Sequence, residues 1–334
     1  MIKSWCINDN PKAEWEDIRA PAHVATVRAA IEKNFAHYFD SLIHPPHAAP
    51  AGTDLLARLG EKYKITSSKP APVAKADPSA FVDAIEEHGK KAHRYRAAFD
   101  TEVLNEFRAD DPDAFKAHLS RKCPVIISLL QSSDSELKEW KMKYRLRGSE
   151  ELLVVFENLL AFAAQYMVDH GDEKTYSKLE TASDLALDEF DTEELSILGV
   201  IGSGIKSLVL HHFHPRVFPI LRGPSMFALF FLTDKSAFDL LSDTSEFLIV
   251  DDGKKGKDLN IAMDHNYWYP YAQFNEYAVL VARLLKAACK AHGIDFDVEH
   301  RYVYVDAYFA HVCEVHAADL KVMRGIDELI WASK

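Results

Sequence analysis

The amino-acid sequence predicts a mainly α-helical protein, a multi-helix orthogonal bundle with at most a small β-hairpin near 247–263. Three observations predict it. Apolar residues recur at helical spacing through the long segments, as in Ile18, Val24, Val27, Ile31, Phe35 and Phe39. Two Asp-Pro pairs, Asp77-Pro78 and Asp111-Pro112, stand where helices would be capped and begun. A paired-strand signal is confined to the short apolar runs Phe247–Val250 and Leu259–Met263, which flank the polar tract Asp251–Lys257. With 334 residues, 48% of them hydrophobic and 27% charged, the chain can bury a large core and is far from the composition of a disordered one.

The elements follow in order. Residues 12–42 carry one amphipathic helix preceded by a short turn, with a break at Pro21. The Pro/Ala-rich stretches 44–52 and 67–78 are loops. Each Asp-Pro pair opens a helix, with Phe81 or Phe115 as its first apolar contact. The pairs lie 34 residues apart, the period of a tetratricopeptide array, but Ile43-His44-Pro45-Pro46 and Arg145-Leu146-Arg147-Gly148 do not continue the pattern. Two independent caps are the better account. The polar run Ser132–Glu136 marks a boundary between an N-terminal helical region, 1–131, and a C-terminal helical domain, 137–334. Beyond it the spacing predicts helices through Trp140 and Tyr144, over 150–168, around 174–189 and over 271–292. Arg301–Val305 alternates aromatic and β-branched residues and fits either a strand or the opening of a helix that ends near His316.

Fifty-one acidic residues against thirty-nine basic ones leave a formal charge of −12. That balance argues against coating nucleic acid or anionic lipid by bulk charge, although a local basic patch would still bind. The start Met1–Cys6 lacks the basic-then-apolar order of a secretory signal. The window Leu152–Val168 is interrupted by Glu157, Asn158 and Gln165, so it reads as a buried core helix rather than the roughly 20 apolar residues of a membrane span. Cys6, Cys123, Cys289 and Cys313 are scattered, with no C-x-x-C pair, which fits a reduced cytoplasm and a bacterial-type protein outside the membrane.

One segment carries a motif. Leu195–Leu198 leads into Gly199-Val200-Ile201-Gly202-Ser203-Gly204, and Ile205–Phe213 then has helical apolar spacing. A P-loop would need Lys directly after the last glycine, but Ile205 intervenes before Lys206-Ser207 and turns the lysine by about 100° around the helix. A dinucleotide fingerprint fails at Ser207 and lacks a βαβ unit. A glycine hairpin between two helices fits better, because the second helix begins with unpaired N–H groups and a positive dipole end that suit a phosphate oxygen. The competing reading is plain capping, with glycines ending one helix and starting the next.

Leu198–Leu208 resembles the hairpin of the helix-hairpin-helix DNA glycosylases, with Lys206 at a commonly basic position, and Leu210–Ile220 resembles a stretch found in restriction-associated bacterial proteins. The resemblance spans about 195–232. It implies sequence-independent contact with a nucleic-acid backbone, with Gly202 and Gly204 shaping the turn, Lys206 and Ser207 on phosphate, and Arg216 and Arg222 extending a basic rim. The aspartate that does the glycosylase chemistry is not matched, since Leu221-Arg222-Gly223-Pro224 stands there and the next aspartate is Asp234. Glycosylase activity is therefore not expected.

Two alternatives stay open. Arg222 with the aromatic residues Tyr267, Trp268, Tyr269 and Tyr271, and with Arg301, Tyr302, Tyr304, Asp306 and Tyr308, would line a pocket for a small planar ligand, in a binding protein or an enzyme. Core packing explains the same aromatics. The third possibility is a helical interaction protein with no active site. His211, His212 and His214, weighed with Asp264 and His265, lack the third ligand spacing that zinc needs, so neither metal nor cofactor is expected. No G-x-S-x-G, H-E-x-x-H or papain-like cysteine motif supports an enzyme.

Overall fold

The computed structural model describes residues 16–45, 76–134, 137–236, 246–255 and 261–324, and helix dominates them. Helix α1 (Pro21–Ile43) has Pro21 at its first turn, where the missing N–H would find no helical partner anyway. Pro21 thus starts the helix, and residues 16–19 form a separate turn before it. The expected loops 44–52 and 67–78 are described only at 44–45 and 76–78, their remainder lying outside the described residues. Both Asp-Pro pairs lie at helix starts, the first with Pro78 rather than Asp77 at the N-cap and the second with Asp111 capping a 3-10 turn. Asp77 Oδ1 accepts from Ser79 N at 2.9 Å at the start of α2 (Ser79–Ala98). Asp111 Oδ1 accepts from Ala114 N at 3.2 Å in the 3-10 turn Pro112–Ala114.

Between those starts lies α3 (Thr101–Ala109), and after the second come α4 (Phe115–Lys122), α5 (Pro124–Gln131), α6 (Leu137–Leu146) and α7 (Ser149–His170). The polar run after Gln131 ends α5 without dividing the interior. One cluster of buried side chains includes Phe81, Phe115 and Ile126 before that run and Tyr144, Phe156 and Tyr304 after it. Helix α7 buries Leu152, Leu153, Phe156, Leu159, Ala163 and Tyr166 on one face and exposes Val154 and Val168 on the other. It is the one helix among the described residues long and apolar enough to cross a membrane, and 44% of that window is buried inside the protein.

The single helix expected around 174–189 is replaced by α8 (Glu173–Tyr176), α9 (Ala182–Leu185) and a 3-10 turn, Asp188–Asp191. Local capping is the reason. Asp172 caps α8 through Thr175 N, Thr181 and Asp184 form a reciprocal capping box, and Ala186 closes α9 at a left-handed φ of 51°. There follow α10 (Ser203–Phe213), α11 (Gly223–Leu232), β1 (Leu248–Lys255), β2 (Ile261–His265), α12 (Tyr271–Ala291), α13 (Arg301–Val315) and α14 (Ala317–Arg324). The two strands pair antiparallel, with Leu248 opposite His265 and a register slip between Asp251 and Lys255, so the small hairpin is present. Arg301–Val305 is the opening of α13 rather than a strand.

Helix α11 buries every residue but Pro224, as a helix apolar all round must, and α12 is buried over most of its length. Helix α1 packs on α11, α12 and α13, while α2 packs on α10 and α13. This arrangement leaves α10 spanning two chemical environments. Its N-terminal end meets the glycine hairpin and the start of α12, and its C-terminal end meets α2.

Candidate functional site

The hairpin is built from short pieces. A 3-10 turn, Glu193–Leu195, enters a loop closed by Ile197 N on Ile201 O at 3.0 Å and Ile201 N on Ile197 O at 2.8 Å. Gly199 sits inside that loop at φ +72°, the conformation in which a side chain is strained. Gly202 is the N-cap of α10 at φ −109°, and Gly204 follows in its first turn, where an added methyl would meet only Leu221 O, at 3.5 Å. The turn is thus made by Gly199, not by Gly202 and Gly204, and the element before it is one 3-10 turn. Trp140 Nε1 donates to Val200 O at 2.9 Å and ties the loop to α6.

Lys206 and Ser207, expected on a phosphate, point into the protein. Lys206 lies on the same stripe as Val209 and Leu210, three and four residues on, and all three are buried. Its side chain is 1% exposed. The amine donates to Phe190 O and to Ser196 Oγ, the latter at 2.8 Å, and stands 4.4 Å from the centre of the Phe190 ring. Burial pushes its pKa down to about 8, with Asp191 opposing the shift. Ser207 Oγ, also buried, accepts from Leu221 N at 3.0 Å. The start of α10 already faces an anion of the chain's own: Ser203 Oγ donates to Asp191 Oδ1 at 3.0 Å, and Asp191 Oδ2 accepts from Tyr271 N at 2.7 Å where α12 begins.

Each arginine expected on the basic rim carries an acidic partner. Arg216 donates to Gly171 O and to Glu299 Oε1, and Arg222 Nη2 donates to both Asp306 oxygens at 2.8 and 2.7 Å. Beside the hairpin, an open groove of about 490 Å³ runs along α7. Glu150, Glu151, Glu193 and Glu194 line it, with Asn158 and Ser196 among them. That wall repels phosphate.

The aromatic residues do not gather around Arg222. Tyr267 and Trp268 are about half exposed, whereas Tyr269 is buried and donates to Glu246 Oε1 at 2.9 Å. Tyr302 shares a hydrogen with Tyr176 across 2.5 Å and donates to Asn275 Oδ1 at 3.2 Å. Tyr304 packs between Phe81 and Phe296, and Arg301 pairs with Glu173 while lying over the Tyr176 ring. Tyr271 stacks on Phe190, and Tyr308 donates to Phe35 O. Among the described residues these side chains are engaged at separate places, the buried ones as parts of the core, and do not line one pocket around Arg222.

What does gather near Arg222 is histidine. His211 and His212, at the last turn of α10, meet His88 of α2, whose ring lies 5.1 Å and 5.0 Å from theirs. His212 stacks on Tyr95 at 4.4 Å, and His300 ahead of α13 lies 5.7 Å from His88. His211 Nδ1 faces Phe218 O at 3.0 Å. A carbonyl only accepts, so Nδ1 carries the hydrogen and Nε2 the lone pair. His88 Nε2 faces His211 O at 3.4 Å, and the same logic leaves the lone pair on His88 Nδ1. His88 Nδ1, His212 Nδ1 and Arg222 Nε are buried with no hydrogen-bond partner among the described residues.

Burial lowers the pKa of all three imidazoles, to about 3 for His211 and about 2 for His212, so they are neutral near pH 7. Asp306 counters the shift at His88 and His211, and Arg222 deepens it at His211 and His212. Burial also raises the Cys313 thiol to about 12, and its Sγ rests on Pro224 O at 3.2 Å. Among the described residues no three His, Cys, Asp or Glu are placed to hold a metal ion. His265 pairs with Asp264 at 2.8 Å at the end of β2.

The sequence singled out Arg222, the His211-His212 pair and, within the aromatic set, Asp306, but missed His88. Position 88 is 123 residues from 211 and position 306 is 84 from 222, and no local pattern links them. Comparison with protein-family models, with curated proteins and with solved structures finds no match for the chain.

Proposed function

We propose that the protein binds a small polar ligand at the cluster of His88, His211, His212, Arg222 and Asp306, where α2 and α10 meet the start of α11 and the first turns of α13. This keeps the small-molecule reading attached to Arg222 and replaces its aromatic partners with histidines. The observation that carries it is the set of three unpaired buried nitrogens, His88 Nδ1, His212 Nδ1 and Arg222 Nε. A buried polar group left unpaired costs about 1–3 kcal/mol, and native structures keep few of them. Their concentration around one ion pair is what a binding site organised before its ligand arrives requires.

The chemistry defines the ligand's shape. The guanidinium offers N–H groups beyond those on Asp306, which suit a carboxylate or phosphate oxygen. His88 Nδ1, a lone pair on a neutral ring, suits an O–H or N–H on the same molecule. A hydroxy acid or a phosphate monoester supplies both. Backbone binding by nucleic acid at the hairpin has no comparable support, given the inward Lys206 and the four glutamates.

Thermal unfolding with inorganic phosphate, short hydroxycarboxylates and neutral polyols tests the reading in the wild type and in Arg222→Lys. A ligand at a hundred times its Kd stabilises the fold by about 2.7 kcal/mol. The expected result is stabilisation by an anionic compound that Arg222→Lys abolishes. Stabilisation by none of them, or by compounds indifferent to Arg222, overturns it.

A further inference from the structure

The N-terminal end of α10 carries a chemistry of its own, independent of the histidine cluster. Ser196 Oγ and Lys206 Nζ are 2.8 Å apart. Ser196 lines the open groove, and Lys206 stands behind it at 1% exposure. A serine nucleophile needs a base within hydrogen-bond reach, something that fixes the base, and open space for the substrate. All three are present. Phe190 O and the face of the Phe190 ring take two of the amine's directions. A neutral amine has two N–H bonds and one lone pair, so with both N–H groups turned to Phe190 the lone pair faces the Ser196 hydroxyl. The protonated amine keeps the same place and donates to all three.

We infer that Ser196 and Lys206 form a nucleophile–base pair that cleaves esters or amides carrying a cationic group, with Glu150, Glu151, Glu193 and Glu194 holding the cation. Lys206 Nζ takes the Ser196 hydroxyl proton as Oγ bonds to the carbonyl carbon and the π pair moves onto the carbonyl oxygen. Re-forming the C=O bond expels the alcohol or amine, which leaves with the proton held by Lys206. Water then gives a proton to Lys206 and bonds to the acyl carbon, and Ser196 Oγ departs with that proton. The net change is one ester or amide plus one water to an acid plus an alcohol or amine.

Burial supports the role of the base. With its pKa near 8, about a tenth of Lys206 is neutral at pH 7, against about one part in three thousand for an ordinary lysine. The lining of the groove sets the charge of the substrate, because its four carboxylates, of which Glu151 is also paired with Arg147 at 3.3 Å, attract a cation and repel an anion.

The test uses the full chain with a fluorophosphonate probe and with two p-nitrophenyl esters that differ only in an ammonium or a carboxylate at the end of the acyl chain. The expected results are a single probe adduct mapped to Ser196, its loss in Ser196→Ala, and cleavage of the ammonium ester at least tenfold faster than the carboxylate ester. The rate should rise with pH to a plateau with a midpoint near 8. In Ser196→Ala the amine keeps Phe190 O, and a circular-dichroism melt establishes that the variant is folded. No adduct on the folded wild type, an adduct elsewhere, or ester cleavage that persists in Ser196→Ala overturns the pair. Equal cleavage of the two esters overturns the substrate class.

Discussion

The two ends of α10 treat their polar groups in opposite ways. At the N-terminal end Lys206, Ser207 and Asp191 all find partners, on Phe190 O, Ser196, Leu221 N, Ser203 and Tyr271 N. At the C-terminal end His88, His212 and Arg222 each keep one nitrogen unpaired. A buried group with its partners in place fastens the elements it joins, whereas an unpaired one holds free energy that folding alone has not recovered. The same helix thus teaches two lessons. Burial by itself does not say whether a polar group has been left without a partner, and the pattern of hydrogen bonds does.

Acid should break this comparison most strongly. His211 and His212 stay neutral in the fold down to about 3 and about 2, while in the unfolded chain they take up protons below about 6.5. The unfolded state therefore binds more protons over that window, and stability falls as the pH drops through it. Between pH 6.5 and 5 the two rings together cost about 3 kcal/mol. Urea unfolding at pH 7, 6 and 5 measures it, and His212→Phe, which keeps a ring against Tyr95, should remove about half of the loss. Equal stability at pH 7 and pH 5 would show that these rings are not held neutral.

At the other end the sign is the same but the window is alkaline. Lys206 releases its proton in the fold at about 8, against 10.5 in an ordinary lysine, so the unfolded chain holds more protons between those values. Stability should climb by about 3 kcal/mol from pH 8 to 10.5 through this group. Lys206→Met removes the climb. It also leaves Phe190 O without its donor, at about 1–3 kcal/mol. A rising limb that survives in Lys206→Met would place the alkaline stabilisation elsewhere.

How far the sequence reached follows from the range of its signals. Helix starts at Asp77 and Asp111, the hairpin strands and the long helices α7 and α12 rest on spacing within about twenty residues, and these were legible. The helix expected around 174–189 was not, because Thr181 and Asp184 cap a new turn inside a segment whose apolar spacing alone reads as continuous. At the candidate site the sequence supplied Arg222 and marked His211 and His212. It named Asp306 only among the aromatic residues of α13, and it could not supply His88, which only the packing of α2 brings near. It also assigned Lys206 outward on the strength of its charge. The stripe Lys206, Val209, Leu210 was present in the sequence and points the other way.

The smallest effects sharpen the description of the hairpin itself. Gly199 holds φ +72°, so Gly199→Ala should cost about 1–2 kcal/mol through backbone strain. The nearest obstacle to its new methyl is the flexible end of Lys143, whose Nζ would lie 2.9 Å away. Lys143 can move aside, so sterics add little. Gly202 is the contrast: its backbone is extended and nothing lies within 4 Å of an added Cβ. As the N-cap of α10 it should accept serine, whose hydroxyl can bond a first-turn N–H, with a change of only a few tenths of a kcal/mol in the stabilising direction. Thermal melts of Gly199→Ala and Gly202→Ser side by side decide which glycine makes the turn. If Gly202→Ser is the more damaging of the two, the hairpin depends on the glycine that the resemblance emphasised, and the loop closed by Ile197 and Ile201 is not what sets the angle at which α10 departs.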